Sequence, residues 1–161
     1  FGESLRKKKK LSINSKRIPN NNYGLSKYIF SEIVFCLTKK FNINCRYARI
    51  FPVYGEDDKE NKLYNSLKIS MKSKKKFLVK KPDEIRDYLC VKTVAKKLLE
   101  MTNFKSYSGG LEKWHIANGK PQKISQFILS KISKSDINRI IFSKKKIINE
   151  HHISNNKSIW F

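Results

Sequence analysis

The apolar positions along the chain predict helices that alternate with short strands. From Tyr23 onward, apolar side chains recur at intervals of three and four residues, the spacing that places them on one side of a helix. The pattern predicts an amphipathic helix from about 22 to 41, after a polar loop that contains Pro19. The apolar residues that make this pattern are Ile29, Phe30, Ile33, Val34 and Leu37.

The rest of the chain divides into shorter segments of the same two kinds. Apolar runs predict strands at 45–51, 76–79 and 114–117 and an extended segment at 85–91, and helical spacing predicts helices at about 63–71, 93–101 and 124–132. Turns are expected at 106–110 and 118–121, and no pattern is assigned after 132. Strands that alternate with helices indicate an α/β domain with a mainly parallel sheet.

The composition is that of a folded domain. Of the 161 residues, 39% are apolar and 12% aromatic, more than a disordered chain of this charge usually carries. No apolar run is long enough for a membrane-spanning helix, so we expect no membrane partner. Cys36, Cys45 and Cys90 are widely spaced, which predicts reduced thiols in the core of a cytoplasmic protein, and the three histidines have no metal-ligand spacing.

The net charge of +23 raises the question of a polyanion partner. The chain has 30 lysines but only six arginines, the residue that binds phosphate oxygens with two parallel hydrogen bonds. Lysine, asparagine, isoleucine and phenylalanine all use A/T-rich codons, so codon bias is the favoured explanation and nucleic acid is not the expected partner. A basic RNA-binding module remains the alternative.

A tyrosine stands four residues before a lysine near the start of the predicted first helix. On a helix, Tyr23 and Lys27 would be neighbours on one face, and an ammonium group near a phenol favours the phenolate, which is useful for proton transfer. The same spacing recurs at Tyr64 with Lys68 and at Tyr88 with Lys92. Spacing alone therefore does not identify a catalytic pair.

The sequence around Tyr23 carries a more specific signal. The stretch P-N-N-N-Y-G-L-S-K-Y-I-F-S-E at 19–32 resembles the P-x-x-x-Y-G-x-S-K-x-x-x-E signature of extended short-chain dehydrogenases, the NAD-dependent nucleotide-sugar epimerase/dehydratase family. R-I-F-P-V-Y-G at 49–55 is similar to the family's R-x-F-N-V-Y-G, and R-D-Y-L-C-V-K-T-V-A at 86–95 to its R-D-F-I-Y-V-D-D-V-A. W-H-I-A-N-G at 114–119 is similar to the family's strand that ends in a small residue and glycine, and it follows in the family's order.

The resemblance implies roles for particular residues. Tyr23 would be the acid/base that exchanges a proton with a sugar hydroxyl, and Lys27 would favour its phenolate and hydrogen-bond the nicotinamide ribose of NAD or NADP. Phe51 matches a position that lines the nicotinamide pocket, although a core phenylalanine explains it equally well. The implied cofactor-binding residues are thus Tyr23, Lys27 and Phe51.

Three further positions match the family's substrate-binding residues. Arg86 matches the arginine that grips the nucleotide diphosphate, with a salt bridge to Asp83 or Glu84 as the structural alternative. Pro52 stands where the family has a substrate-contacting asparagine and, because proline has no N–H donor, puts substrate identity in doubt. Leu63 matches the second residue of the family's R-L pair.

The resemblance also implies how the chain is organised. Residues 1–55 would be the C-terminal part of a Rossmann-like dinucleotide-binding domain, and 56–161 mainly a substrate-binding subdomain, with a strand and helix near 85–101 returning to the main domain. Phe1-Gly2 matches a Y-G that follows the catalytic Ser or Thr, so we expect that residue and the Gly-rich turn upstream, and no turnover from 1–161 alone. A homodimer through the Tyr23 helix is implied as well. The reaction type, the sugar and the choice of NAD or NADP stay open, and a decayed, non-catalytic relative is a further alternative.

Overall fold

The computed structural model describes residues 11–15, 17–19, 21–103 and 110–144. Phe1-Gly2, most of the turn predicted at 106–110 and the last 17 residues lie outside these ranges. The helices are α1 (Asn22–Lys40), α2 (Leu63–Lys72), α3 (Val91–Asn103) and α4 (Ile124–Leu129), with a 3₁₀ helix at Lys134–Arg139. The strands are β1 (Cys45–Ile50), β2 (Val53–Tyr54), β3 (Phe77–Val79), β4 (Ile85–Arg86), β5 (Leu89–Cys90), β6 (Leu111–Ile116), β7 (Gln122–Lys123) and β8 (Ile140–Phe142).

The described strands form four pairs, of which three are parallel. β1 pairs with β6 over six residues, β2 with β5, and β3 with β8, whereas β4 and β7 are antiparallel. The α/β class is therefore confirmed. β8, in the segment to which we assigned no pattern, is held by a strand about 60 residues earlier, a pairing that local sequence cannot specify.

Two hydrophobic clusters form the core of the described chain. One lies beside the β1–β6 pair and includes Phe51, Leu89 and Ile116. The other lies between α2, β3 and α4, around Phe127 and Leu67. The domain boundary at 55/56 stays a prediction.

The fully buried positions of helix α1 are small residues, and its Phe35 ring also meets the Tyr47 ring of β1 edge-on with centres 5.0 Å apart. Its buried residues are Gly24, Ser31 and Thr38, spaced by seven, so small side chains line the side that approaches the sheet. Of the apolar side chains that predicted the helix, Val34 is half-buried. The other four, Ile29, Phe30, Ile33 and Leu37, are exposed. The helix is where the pattern placed it, but most of its apolar face is exposed within the described residues.

Other expectations need correction. Cys36 is exposed and Cys45 and Cys90 are only half-buried, so the cysteines are free thiols but not core residues. Helix α3 begins at Val91, two residues before the predicted start, and α4 ends at Leu129, three residues before the predicted end. Within the described ranges, no helix combines the length and the apolar character that crossing a bilayer requires.

Candidate active site

A pocket of about 290 Å³ opens between the first turns of α1 and the C-terminal half of β1. No carboxylate is among the residues that line it, whereas two cationic side chains are, so the described wall is electropositive. The lining residues are Leu11, Tyr23, Gly24, Lys27, Tyr28, Tyr47, Ala48, Arg49, Ile50, Phe51 and His115. The strand ends and the helix start supply the polar groups that surround this space.

Tyr23 and Lys27 lie on the same side of α1 and both reach the pocket. The helix begins after Asn21, whose side chain accepts a hydrogen bond from the Gly24 N–H at 2.7 Å and caps the first turn. The Lys27 ammonium lies 5.5 Å from the centre of the Tyr23 ring. Tyr23 is 63% exposed and lines the pocket.

The two other tyrosine–lysine pairs lie elsewhere. On α2 the Lys68 ammonium lies 5.7 Å from the Tyr64 ring centre, a geometry close to that of the first pair, but it bonds the Glu56 carboxylate at 2.9 Å and neither residue lines the pocket. Tyr88 is stacked on Phe127 in the second core cluster, with ring centres 4.2 Å apart. The fold thus separates three pairs that the sequence could not distinguish.

Phe51 belongs both to the pocket wall and to the core. It is 2% exposed, its N–H donates to the Ile116 carbonyl at 2.9 Å, and its ring meets the His115 ring edge-on with centres 5.2 Å apart. Phe51 is therefore both a wall of the pocket and a core side chain, so the two explanations of this residue are compatible.

The predicted substrate residues do not line this pocket. The Pro52 carbonyl accepts the Leu89 N–H at 2.9 Å, which joins β2 to β5. Leu63 starts α2 and packs against the second core cluster. Arg86 on β4 forms a salt bridge with Glu84, one of the two acids that we gave as its structural alternative. The structure brings together Tyr23, Lys27 and Phe51, and leaves Pro52, Leu63 and Arg86 apart from them.

Two residues that line the pocket were not predicted from the sequence to belong to the site. Arg49 and His115 are register partners in the parallel β1–β6 pair. Burial, and secondarily the nearby Arg49 charge, lowers the pKa of His115 to about 4, so the imidazole is neutral at pH 7. The Arg49 Nη1 donates to the Ile13 carbonyl at 3.1 Å. Strand pairing across 66 residues brings these two together, and no local pattern in the sequence indicates it.

Asp87 connects the segment that carries Arg86 to the end of β6. Its carboxylate is fully buried and accepts the N–H groups of Asn118 at 3.2 Å and Gly119 at 2.9 Å. Burial raises the pKa of Asp87, against the effect of these hydrogen bonds. Gly119 has φ +71°, a left-handed conformation that favours glycine in this turn. Across the described ranges, no group of three or more His, Cys, Asp or Glu side chains could hold a metal ion.

The fold is shared with solved structures that include a dTDP-glucose 4,6-dehydratase and a UDP-glucuronic acid 4-epimerase. The dTDP-glucose 4,6-dehydratase of Bacillus anthracis, solved with NAD, superposes with a TM-score of 0.78 at 17% identity over 96% of this chain and 49% of that one. The UDP-glucuronic acid 4-epimerase of Bacillus cereus, solved with UDP-glucuronic acid and NAD, superposes with a TM-score of 0.72 at 17% identity over 94% of this chain and 49% of that one. RMD of Pseudomonas aeruginosa, solved with NADPH, superposes with a TM-score of 0.69 at 20% identity over 87% of this chain and 48% of that one.

These likenesses confirm a Rossmann-like fold, and the chain spans about half the length of each of these neighbours. Among curated proteins, none matches the chain significantly. A family model described as "NAD dependent epimerase/dehydratase family" matches residues 1–117, nearly three quarters of the sequence. The resemblance seen in the motifs is thereby confirmed: this chain belongs to the NAD-dependent epimerase/dehydratase family.

Proposed function

We propose that this chain supplies the tyrosine–lysine proton-transfer pair and part of the substrate-binding region of an NAD(P)-dependent nucleotide-sugar epimerase, dehydratase or reductase. One observation carries the proposal: Tyr23, Lys27 and Phe51 line a single pocket, whereas the equally spaced Tyr64 and Lys68 do not. The solved neighbours that hold NAD or NADPH, and those that hold UDP-sugars, support the same class of ligands.

The pocket residues fit the nicotinamide end of a dinucleotide. Phe51 offers a buried apolar wall suited to a planar ring, and the Lys27 ammonium is a donor suited to ribose hydroxyls. When bound, NAD or NADP supplies hydride acceptance and donation at a sugar carbon. Tyr23, Lys27 and Phe51 are the residues of this chain that would hold and orient it.

The proton transfer falls to Tyr23. When a sugar hydroxyl is oxidised, its O–H proton must leave as the C–H hydrogen departs with its electron pair, and the Tyr23 oxygen would take that proton. The Tyr23 oxygen can take the proton only as a phenolate, and the Lys27 ammonium lies 5.5 Å from the centre of its ring. His115, neutral at pH 7, adds no further positive charge to the two that Lys27 and Arg49 bring to the wall.

Substrate binding would involve residues outside this pocket. Arg86 is proposed to bind the nucleotide diphosphate, with Pro52 and Leu63 near the sugar and base. The exposed apolar side of α1, with Phe30 and Ile33, is proposed to pack against a second copy of the protein, because water contact with such a face is costly.

The test uses the full-length polypeptide that carries this sequence. With UDP-glucose and dTDP-glucose as probe substrates, Tyr23→Phe should lower kcat by about 10²–10⁴-fold while nucleotide affinity is kept, because only the proton carrier is lost. Tyr64→Phe is the matched control, with the same spacing and a similar ring-to-ammonium distance outside the pocket, and should keep its activity. Equal loss in both variants, or full activity in Tyr23→Phe, would refute the assignment.

A further inference from the structure

The Arg86 guanidinium is paired with the nearly buried carboxylate of Glu84. The Arg86 Nη2 bonds the Glu84 carboxylate, and Nη1 donates to the Ile85 carbonyl at 3.1 Å. The Glu84 side chain is 6% exposed and that of Arg86 is 16% exposed. The cation is thus the outer partner of this ion pair and the acid the inner one.

The backbone under this pair is anchored on both sides. The Glu84 carbonyl accepts the Ile124 N–H at 2.9 Å, and Arg86 is the register partner of Gln122 in the antiparallel β4–β7 pair. Asp87, the next residue, accepts the two N–H groups described above. Because these hydrogen bonds fix the main chain, only the direction of the long Arg86 side chain is left to be determined by its own contacts.

We propose that Glu84 is a positioning residue that sets the direction of the Arg86 guanidinium for binding a nucleoside diphosphate group. The inference rests on the proposed function, in which Arg86 contacts the diphosphate. A flexible arginine loses rotamer freedom when it binds a ligand, whereas one already held by a carboxylate has lost it on folding. Glu84 is too enclosed to follow a ligand outward, and releasing Arg86 would leave a buried charge unpaired.

Positioning and simple electrostatics predict opposite signs for one substitution. Glu84→Gln removes a negative charge near an anion site, so long-range attraction alone would tighten diphosphate binding. If Glu84 orients Arg86, the same change loosens binding, because the amide is a weaker acceptor for the guanidinium. Asp83→Asn is the matched control: it makes the same charge change one residue away, on a side chain that is 66% exposed and bonded to Lys123 at 2.8 Å.

The experiment measures the affinity of the full-length polypeptide for UDP and for dTDP by calorimetry. Glu84→Gln should weaken the binding of UDP and of dTDP about tenfold, whereas Asp83→Asn should change these affinities by less than about twofold. In steady-state kinetics with UDP-glucose or dTDP-glucose, the KM for the nucleotide sugar should rise in Glu84→Gln while kcat is kept. In an Arg86→Ala background the Glu84→Gln effect should vanish, as required if Glu84 acts only through Arg86. If Glu84→Gln does not fold, Glu84→Asp, with a shorter reach, should weaken binding in the same direction.

The outcomes separate this inference from the function on which it rests. Tighter or unchanged binding in Glu84→Gln, with weaker binding in Arg86→Ala, would overturn the positioning role and leave the function standing. A Glu84→Gln loss that persists in the Arg86→Ala background would also overturn it. Failure of the wild-type polypeptide to bind either nucleotide would overturn both.

Discussion

Acid should destabilise this protein through His115. The pKa of this imidazole falls from its ordinary value of 6.5 to about 4 in the folded chain, chiefly because the ring is buried and secondarily because Arg49 is near. Between these two values the unfolded chain binds a proton that the folded chain excludes. Acidification through that range therefore favours unfolding, and the stabilisation is fully present above pH 6.5.

The size of the effect follows from the same two values. Lowering the pH from 7.5 to 4.5 should cost about 2.5 kcal/mol of unfolding free energy through this one group, at 1.36 kcal/mol for each tenfold change in proton affinity. Asp87 acts in the opposite direction, because burial raises its pKa and its folded form gains protons more readily on acidification. The pH dependence of the total unfolding free energy would therefore contain the opposing contributions of His115 and Asp87.

A difference between two proteins isolates the histidine. Urea unfolding of the cofactor-free full-length polypeptide and of its His115→Gln variant should be measured from pH 7.5 to 4.5. Glutamine has a similar volume, stays neutral throughout and leaves the other groups in place, so the stability of the variant relative to the wild type should rise by about 2.5 kcal/mol on acidification. Curves that remain parallel within about 0.5 kcal/mol would refute the reasoning.

Two further predictions test packing and assembly. A Cβ at Gly55 would lie 2.5 Å from Val91 Cγ1, so Gly55→Ala should lower the free energy of unfolding, measured by chemical denaturation, by about 1–3 kcal/mol. Adding Val91→Ala should restore most of the lost stability. An unchanged loss in the double variant would show that the contact with Val91 is not its cause. Phe30→Glu should shift the full-length polypeptide from dimer to monomer in sedimentation velocity, whereas Leu78→Glu, at an exposed site on β3, should not; a wild-type monomer would exclude the proposed interface.

Much of the local structure could be predicted from the sequence because its causes are local. Helical spacing placed α1 within a residue of its observed ends, and the apolar run at 45–51 predicted β1. The ordered motif blocks indicated the family, which the family model confirms over residues 1–117. These features depend on residues close together in the chain, so reading it in order is enough to find them.

The fold alone decided which residues meet. Tyr23 and Tyr64 have equivalent lysine neighbours, and only the packing of α1 against the end of β1 brings the first pair into the pocket. His115 reaches the same pocket through strand pairing with a segment 66 residues earlier. The sequence by itself determined the helices, the strand β1 and the chemical groups that they carry, but not the strand β8. The tertiary structure decided the neighbours of each group, because strand pairing and burial depend on contacts between residues far apart in the chain.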